Sequence, residues 1–221
     1  MGYVTTGTVR VWLCALAAFT LIGFGSPLDG LAETWTPGGA TPGQWMFGGR
    51  IGPSTLTQQL SPNIDSATGP ALNFQGMYAV TNMIMFGLML EWERRPVDRE
   101  QPRLDLGSMD TVSFLPTIEV RPGHWGPVYP YGSAGIGVNF NSFSEDGGIG
   151  STRISPSNNF AFRLAAGADY FITKTLALNT ELAWKRNDGH AHITGPPIGG
   201  LNPNEWNASS FNFLVGVRWF Y

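Results

Sequence analysis

Residues 211–221 read FNFLVGVRWFY. Large apolar side chains take every second position (Phe211, Phe213, Val215, Val217, Trp219, Tyr221), and Asn212, Leu214, Gly216, Arg218 and Phe220 lie between them. A period of two belongs to a strand, whose successive side chains point to opposite faces. Such a greasy face, ending on a bulky aromatic, is an aggregation hazard in water unless another layer covers it. What bathes that face decides the fold.

The alternation recurs in eight segments: 44–52, 72–80, 83–93, 111–121, 129–141, 159–172, 175–186 and 209–221. The connections 53–71, 94–110, 142–158 and 187–208 are long, polar and rich in Pro and Gly, whereas 81–82, 122–128 and 173–174 are short. Long loops on one side and short turns on the other are the pattern of a transmembrane β-barrel. No further segment after the N-terminal run approaches the apolar length of a spanning helix. The expected fold is all-β: an eight-stranded antiparallel transmembrane β-barrel, an up-and-down meander, with both ends of the barrel chain on the periplasmic side.

Phase supplies an independent test. With the bulkier apolar set outside (Ile84, Phe86, Leu88, Leu90 and Trp92 in the third segment), the inner face collects Arg50, Glu91, Glu93, Glu119, Arg121, Arg163, Asp169, Glu181, Lys185 and Arg218. Turned towards lipid, these ten groups would cost on the order of 20 kcal/mol. Small residues on the same face (Gly48, Gly87, Gly135, Gly137, Gly167, Gly216) leave room inside a narrow barrel. Trp45, Tyr78, Tyr170, Trp219 and Tyr221 fall at the periplasmic rim and Trp92 and Trp184 at the outer rim, as two aromatic belts. Pro116 interrupts a strand, and a bulge or local irregularity is expected there. The rival, a soluble β-sandwich or lipocalin-like barrel, would hide the large apolar groups within and leave few charges outside.

Composition agrees. Charged residues are 13% of the 221, Gly numbers 29, and the net charge of −3 offers no basic patch for nucleic acid. At the start, VWLCALAAFTLIGFG (11–25) is a short apolar run, and Gly30 and Ala32 stand at the small-residue positions of a signal-peptidase site. Residues 1–32 therefore read as a cleaved secretory signal, 33–43 as a short periplasmic segment and 44–221 as the barrel. Cys14, the single cysteine, lies inside the apolar run and precludes an internal disulfide or a cysteine-based zinc cluster.

YPYGSAGIGVNF (129–140) and LAAGADYFITKTLALNTELAW (164–184) resemble segments of the small outer-membrane barrels of the OmpW, OmpX and opacity-protein kind. FLPTIEVR (114–121) and NPNEWNASSFNFLVGVRWF (202–220) lean towards the OmpW-like members. The resemblance covers about 44–221. It implies residence in a bacterial outer membrane among lipid and lipopolysaccharide. It also implies a C-terminal signal for the barrel-assembly machinery, carried here on Phe213, Val215, Val217, Trp219 and Tyr221.

OmpW-like proteins are associated with passage of small hydrophobic solutes through an apolar lumen that opens sideways, and Met46, Met77, Met85, Met89 and Leu115 are inward here. The ten inward charges favour instead a plug of paired groups, because buried charges persist only when paired or hydrogen-bonded. The expected role is thus structural or surface-interacting, with the narrow channel as the alternative. A third reading is a lipid A-modifying hydrolase. Where such barrels carry a His and a Ser, this chain has Lys185, Arg186 and Asn187, so no catalytic set is expected. His190 and His192 form an H-x-H pair without a local third ligand, so no metal or cofactor is expected either. The SEDGG stretch at 144–148 lacks the spacing of a calcium loop. ERRPVDREQPR (93–103) reads as a solvated loop able to touch lipopolysaccharide phosphates through Arg94, Arg95, Arg99 and Arg103.

Overall fold

The computed structural model describes residues 40–62, 64–99, 104–145, 152–195 and 206–221. The expected signal, most of the 33–43 segment and Arg103 lie outside them. In chain order the strands are β1 (Trp45–Leu56), β2 (Ile64–Ser66), β3 (Gly69–Ala79), β4 (Ile84–Arg99), β5 (Leu104–Val120), β6 (Val128–Glu145) and β7 (Arg153–Pro156). They continue with β8 (Asn159–Phe171), β9 (Leu176–Arg186), β10 (Asp188–Gly189), β11 (Ala191–Thr194), β12 (Trp206–Asn207) and β13 (Ser210–Phe220).

Eight of these strands (β1, β3, β4, β5, β6, β8, β9, β13) form one closed antiparallel barrel. Each pairs with the barrel strand before and after it, and β13 returns to β1. At the closure Met46 faces Phe220. Trp45 N–H donates to the Tyr221 carbonyl at 2.9 Å and Tyr221 N–H to that of Trp45 at 2.7 Å. Closure matters because an open edge would leave backbone polar groups unsatisfied in lipid. β2 is an extra strand that pairs with Val97–Arg99 of β4 and prolongs β3 outward. β7 pairs with β11 and β10 with β12 as short ribbons among the outer connections.

The expected phase holds along the barrel. Phe74, Phe86, Leu88, Leu90, Ile136, Phe140, Leu164, Leu178, Val217 and Trp219 are exposed outside, and all ten predicted inward charges are buried inside. On β4 the outward apolar series from Ile84 to Trp92 covers about 27 Å along the strand, on the scale of the roughly 25 Å apolar band of such barrels.

At Pro116 the structure has the local irregularity and not the bulge: Pro116 keeps its place opposite Leu88 on β4, and the ladder to β6 skips Leu115 and Pro116 without changing register. The register shift falls instead between Val97 and Asp98. The missing proline N–H costs a bond but does not insert a residue.

The long connections are also shorter than the composition suggested, because β4 runs on to Arg99, β5 begins at Leu104 and β6 extends to Glu145. Beyond Trp92 the outward side chains become polar (Arg94, Ser142, Ser144) while Val97, Leu106 and Met109 turn inward and are buried. Above the lipid the outside is water, so the hydrophobic phase inverts while the strand continues.

Candidate functional site

The lumen holds the densest chemistry in the molecule. Alternation along β4 aims Glu91, Glu93 and Arg95 inward, along β5 Glu119 and, just past its end, Arg121, along β8 Arg163 and Asp169, and along β9 Glu181 and Lys185. Arg50 enters from β1 and Arg218 from β13.

The barrel curvature brings four of these groups into a ring. Arg121 Nη2 lies 2.7 Å from Glu119 Oε1 and 2.6 Å from Asp169 Oδ2, and Arg218 bridges the same two carboxylates at 2.9 and 3.1 Å. The other seven form an alternating chain. Arg95 Nη2 meets Glu93 at 3.2 Å, and Lys185 Nζ joins Glu93 at 3.0 Å to Glu91 at 3.1 Å. Arg163 then joins Glu91 at 3.1 Å to Glu181 at 2.6 Å, and Glu181 pairs with Arg50. Every carboxylate thus touches two cations, an arrangement that offsets the desolvation cost a single buried pair seldom recovers.

Neutral groups weld ring and chain together. The Tyr131 hydroxyl donates to Glu181 Oε2 at 2.9 Å, and the Arg218 guanidinium lies 4.1 Å over the Tyr131 ring. Asn179 Nδ2 donates to Asp169 Oδ1 at 2.6 Å, and Asn73 Oδ1 accepts from Arg50 Nη2 at 2.6 Å. Tyr131 fits because Gly167 stands beside it: a Cβ there would lie 2.5 Å from the hydroxyl.

Two apolar layers bound this lattice. At the periplasmic end Phe171 packs on Phe220 (5.0 Å between centroids) and Tyr129 on Phe171 (4.9 Å), near the buried Met46. At the outer end Leu60, Ile64, Val97, Leu106, Met109, Ile154, Ala191, Trp206 and Ala208 form a buried cap inside the extended strands. Between cap and charges lies a band of amides, with Asn139 donating to Asn159 and Asn187 to Asn141, both at 2.9 Å.

Arg95 overturns its assignment to a solvated loop. It is buried, paired with Glu93, and donates to Ser54 Oγ at 3.0 Å and the Ala208 carbonyl at 3.2 Å. Carrying the parity of Glu91 and Glu93 two residues further would have found it. Of its companions in that segment, Arg94 is exposed and donates to Ser108 at 3.0 Å, and Arg99 ends β4 opposite Leu104.

The inward methionines do not line one path. Met46, Met77 and Met85 lie towards the periplasmic end, whereas Met89 and Leu115 cluster with Ala161. His190 and His192 are exposed, His192 opposite Ser155. Where a hydrolase of this architecture would hold its His and Ser, Lys185 is bound into the lattice, Arg186 pairs with Asp188 outside, and Asn187 is tied to Asn141. The Arg186 guanidinium hydrogen-bonded to Asp188 holds that carboxyl below the ordinary aspartate range. Phe213, Val215, Val217, Trp219 and Tyr221 all point outward from the last strand and its end.

A family model described as "Outer membrane protein beta-barrel domain" matches residues 15–218. The fold is similar to that of the outer membrane protein OprG from Pseudomonas aeruginosa, with a TM-score of 0.66 at 15% identity, covering 84% of this chain and 99% of that one. It is similar to outer membrane protein AlkL in DMPC lipid bilayers, with a TM-score of 0.56 at 14% identity, covering 86% and 95%. Neisserial surface protein A matches with a TM-score of 0.52 at 14% identity, covering 80% and 96%. Among curated proteins none matches by sequence.

Proposed function

This chain belongs to the outer membrane protein beta-barrel family, and on that premise we propose that it is a sealed barrel of the bacterial outer membrane, with a structural and surface-interacting role. The observation that carries this reading is the lattice itself: five buried carboxylates, each held by two cations, drawn from strands all around the barrel. Opening a path between them would leave buried charges without partners, at several kcal/mol for each broken pair. The outer strands and connections are then the part of the protein that meets other molecules.

In this reading residues 1–32 direct export and are cleaved, and the barrel-assembly machinery recognises the outward series Phe213, Val215, Val217, Trp219 and Tyr221. In the same reading the exposed apolar wall contacts lipid, and Arg94, exposed two residues past Trp92, meets lipopolysaccharide phosphates.

Planar-bilayer recording and liposome swelling test the sealed lumen. Purified protein is expected to give no conductance or solute flux above a heat-denatured control. Flux of a small solute well above that control would overturn the reading and favour the narrow channel, with a small hydrophobic solute as its cargo.

A further inference from the structure

On the lipid side of the wall, a trough of about 590 Å³ crosses from β5 over β6 and β8 to β9. Its floor is made of small outward residues, Gly132 and Ala134 of β6 and Ala166 of β8, with Gly132 opposite Ala166. Ile118, opposite Ala134, forms one bank, and Leu182, opposite Ala166, forms the other. Towards the periplasmic end the small side chains continue with Ala168, which faces Pro130. Elsewhere the wall carries rows of large exposed side chains, as on β4 with Phe86, Leu88 and Leu90.

The length of this stretch fits one leaflet. From Leu164 to Tyr170, β8 covers about 20 Å, which a tilt of about 40° reduces to about 15 Å along the membrane normal, half the hydrocarbon thickness. Tyr170, at its lower end, is exposed in the periplasmic aromatic belt. Within hydrocarbon only an acyl chain or another protein can fill such a trough. A second copy is the poorer match, because a two-fold contact sets the trough against itself and leaves a void between two floors. A flexible chain gains dispersion contacts on its flanks as well as beneath it, where a convex wall offers them on one side only.

Charge names the headgroup. The three periplasmic turns (80–83, 121–127 and 172–175) contain no Asp or Glu, and Lys174 is their one exposed lysine or arginine. Lys174 lies three residues past the end of β8, the strand that supplies Ala166 and Ala168. Its long stem can lie along apolar surface while the ammonium reaches the headgroup level. We propose that the trough holds one acyl chain of an anionic glycerophospholipid of the periplasmic leaflet, whose phosphate meets Lys174. The inference rests on the outer-membrane placement of this wall and not on the sealed lumen.

The test is amide NMR of the barrel, one copy per phosphatidylcholine nanodisc, with added phosphatidylglycerol carrying a nitroxide midway along one chain. Broadening is expected to concentrate at Gly132, Ala134 and Ala166, to saturate as the labelled fraction rises, and to exceed that at Ile51 and Phe74 across the barrel. The same nitroxide on phosphatidylcholine should compete about fivefold less well, the scale of one interfacial lysine, and Lys174→Ala should abolish that difference. Gly132→Leu/Ala166→Leu fills the floor from the lipid side, where a Cβ at Gly132 meets nothing nearer than 3.9 Å. That variant should keep its heat-modifiable mobility and lose the local broadening. Equal broadening around the wall, equal response to the two headgroups, or local broadening that survives the filled floor would overturn the proposal. So would a disulfide between copies carrying Ala134→Cys but not between copies carrying Ile51→Cys, which would assign the trough to a second copy. None of these readouts depends on whether the lumen conducts, so failure here is separable from failure of the sealed-barrel reading.

Discussion

At Glu181 two guanidiniums and a phenol converge, from Arg50, Arg163 and Tyr131. Glu181→Gln removes the charge but keeps the shape, leaving two buried cations short of a partner, and should cost about 3–5 kcal/mol in urea unfolding from lipid vesicles. Arg186, paired with Asp188 but solvated, is the contrast: Arg186→Ala should leave the unfolding midpoint unchanged, since exposed pairs contribute little. Glycine positions separate in the same way. A Cβ at Gly167 would press on the Tyr131 hydroxyl and the Thr180 carbonyl, both at 2.5 Å, so Gly167→Ala should destabilise by about 1–3 kcal/mol. At Gly132, where the nearest atom would be 3.9 Å away, Gly132→Ala should be neutral by the same measurement.

On the scale of strands, the outer surface carries a readable boundary. Leu88 lies mid-strand on the lipid face of β4, and Ser142 lies on the outer face of β6 beyond the apolar band. Leu88→Arg should cost about 2–4 kcal/mol, and Ser142→Arg about 0–1 kcal/mol. Equal costs at the two sites would displace the membrane boundary drawn here. The last strand both closes the barrel and carries the expected assembly signal. Removing Tyr221 would delete its two backbone bonds to Trp45, so Tyr221→Ser is the cleaner variant, keeping those bonds and losing only the aromatic ring. Its insertion into the outer membrane, followed by heat-modifiable mobility of the extracted protein, should drop several-fold while refolding in detergent is unaffected. Core strand segments were legible because lipid demands strict alternation. Their outer extensions were not, because water outside and an apolar cap inside reverse that alternation, as Arg94 and Val97 show.

For the whole molecule, the proposed seal consists of three layers in series: the Phe171–Phe220 packing, the ion-pair lattice, and the cap around Leu106 and Trp206. Breaching one should not open a path. Glu181→Gln barrels that still fold are therefore expected to stay silent in planar bilayers, and a stable conductance from that single change would show that the lattice alone seals the barrel. By itself the sequence determined the barrel strands, the face that meets lipid, and ten of the eleven charges buried among the described residues, because period-two parity and the cost of a charge in hydrocarbon are local facts. Which charges meet was decided only by the tertiary structure. Ring and chain join residues up to 131 positions apart, Arg50 to Glu181, and only closure and stagger of the strands bring those walls face to face. Arg95 was legible from the parity of Glu91 and Glu93, whereas the cap was not: its inward place depends on where the membrane ends, and no single strand encodes that limit.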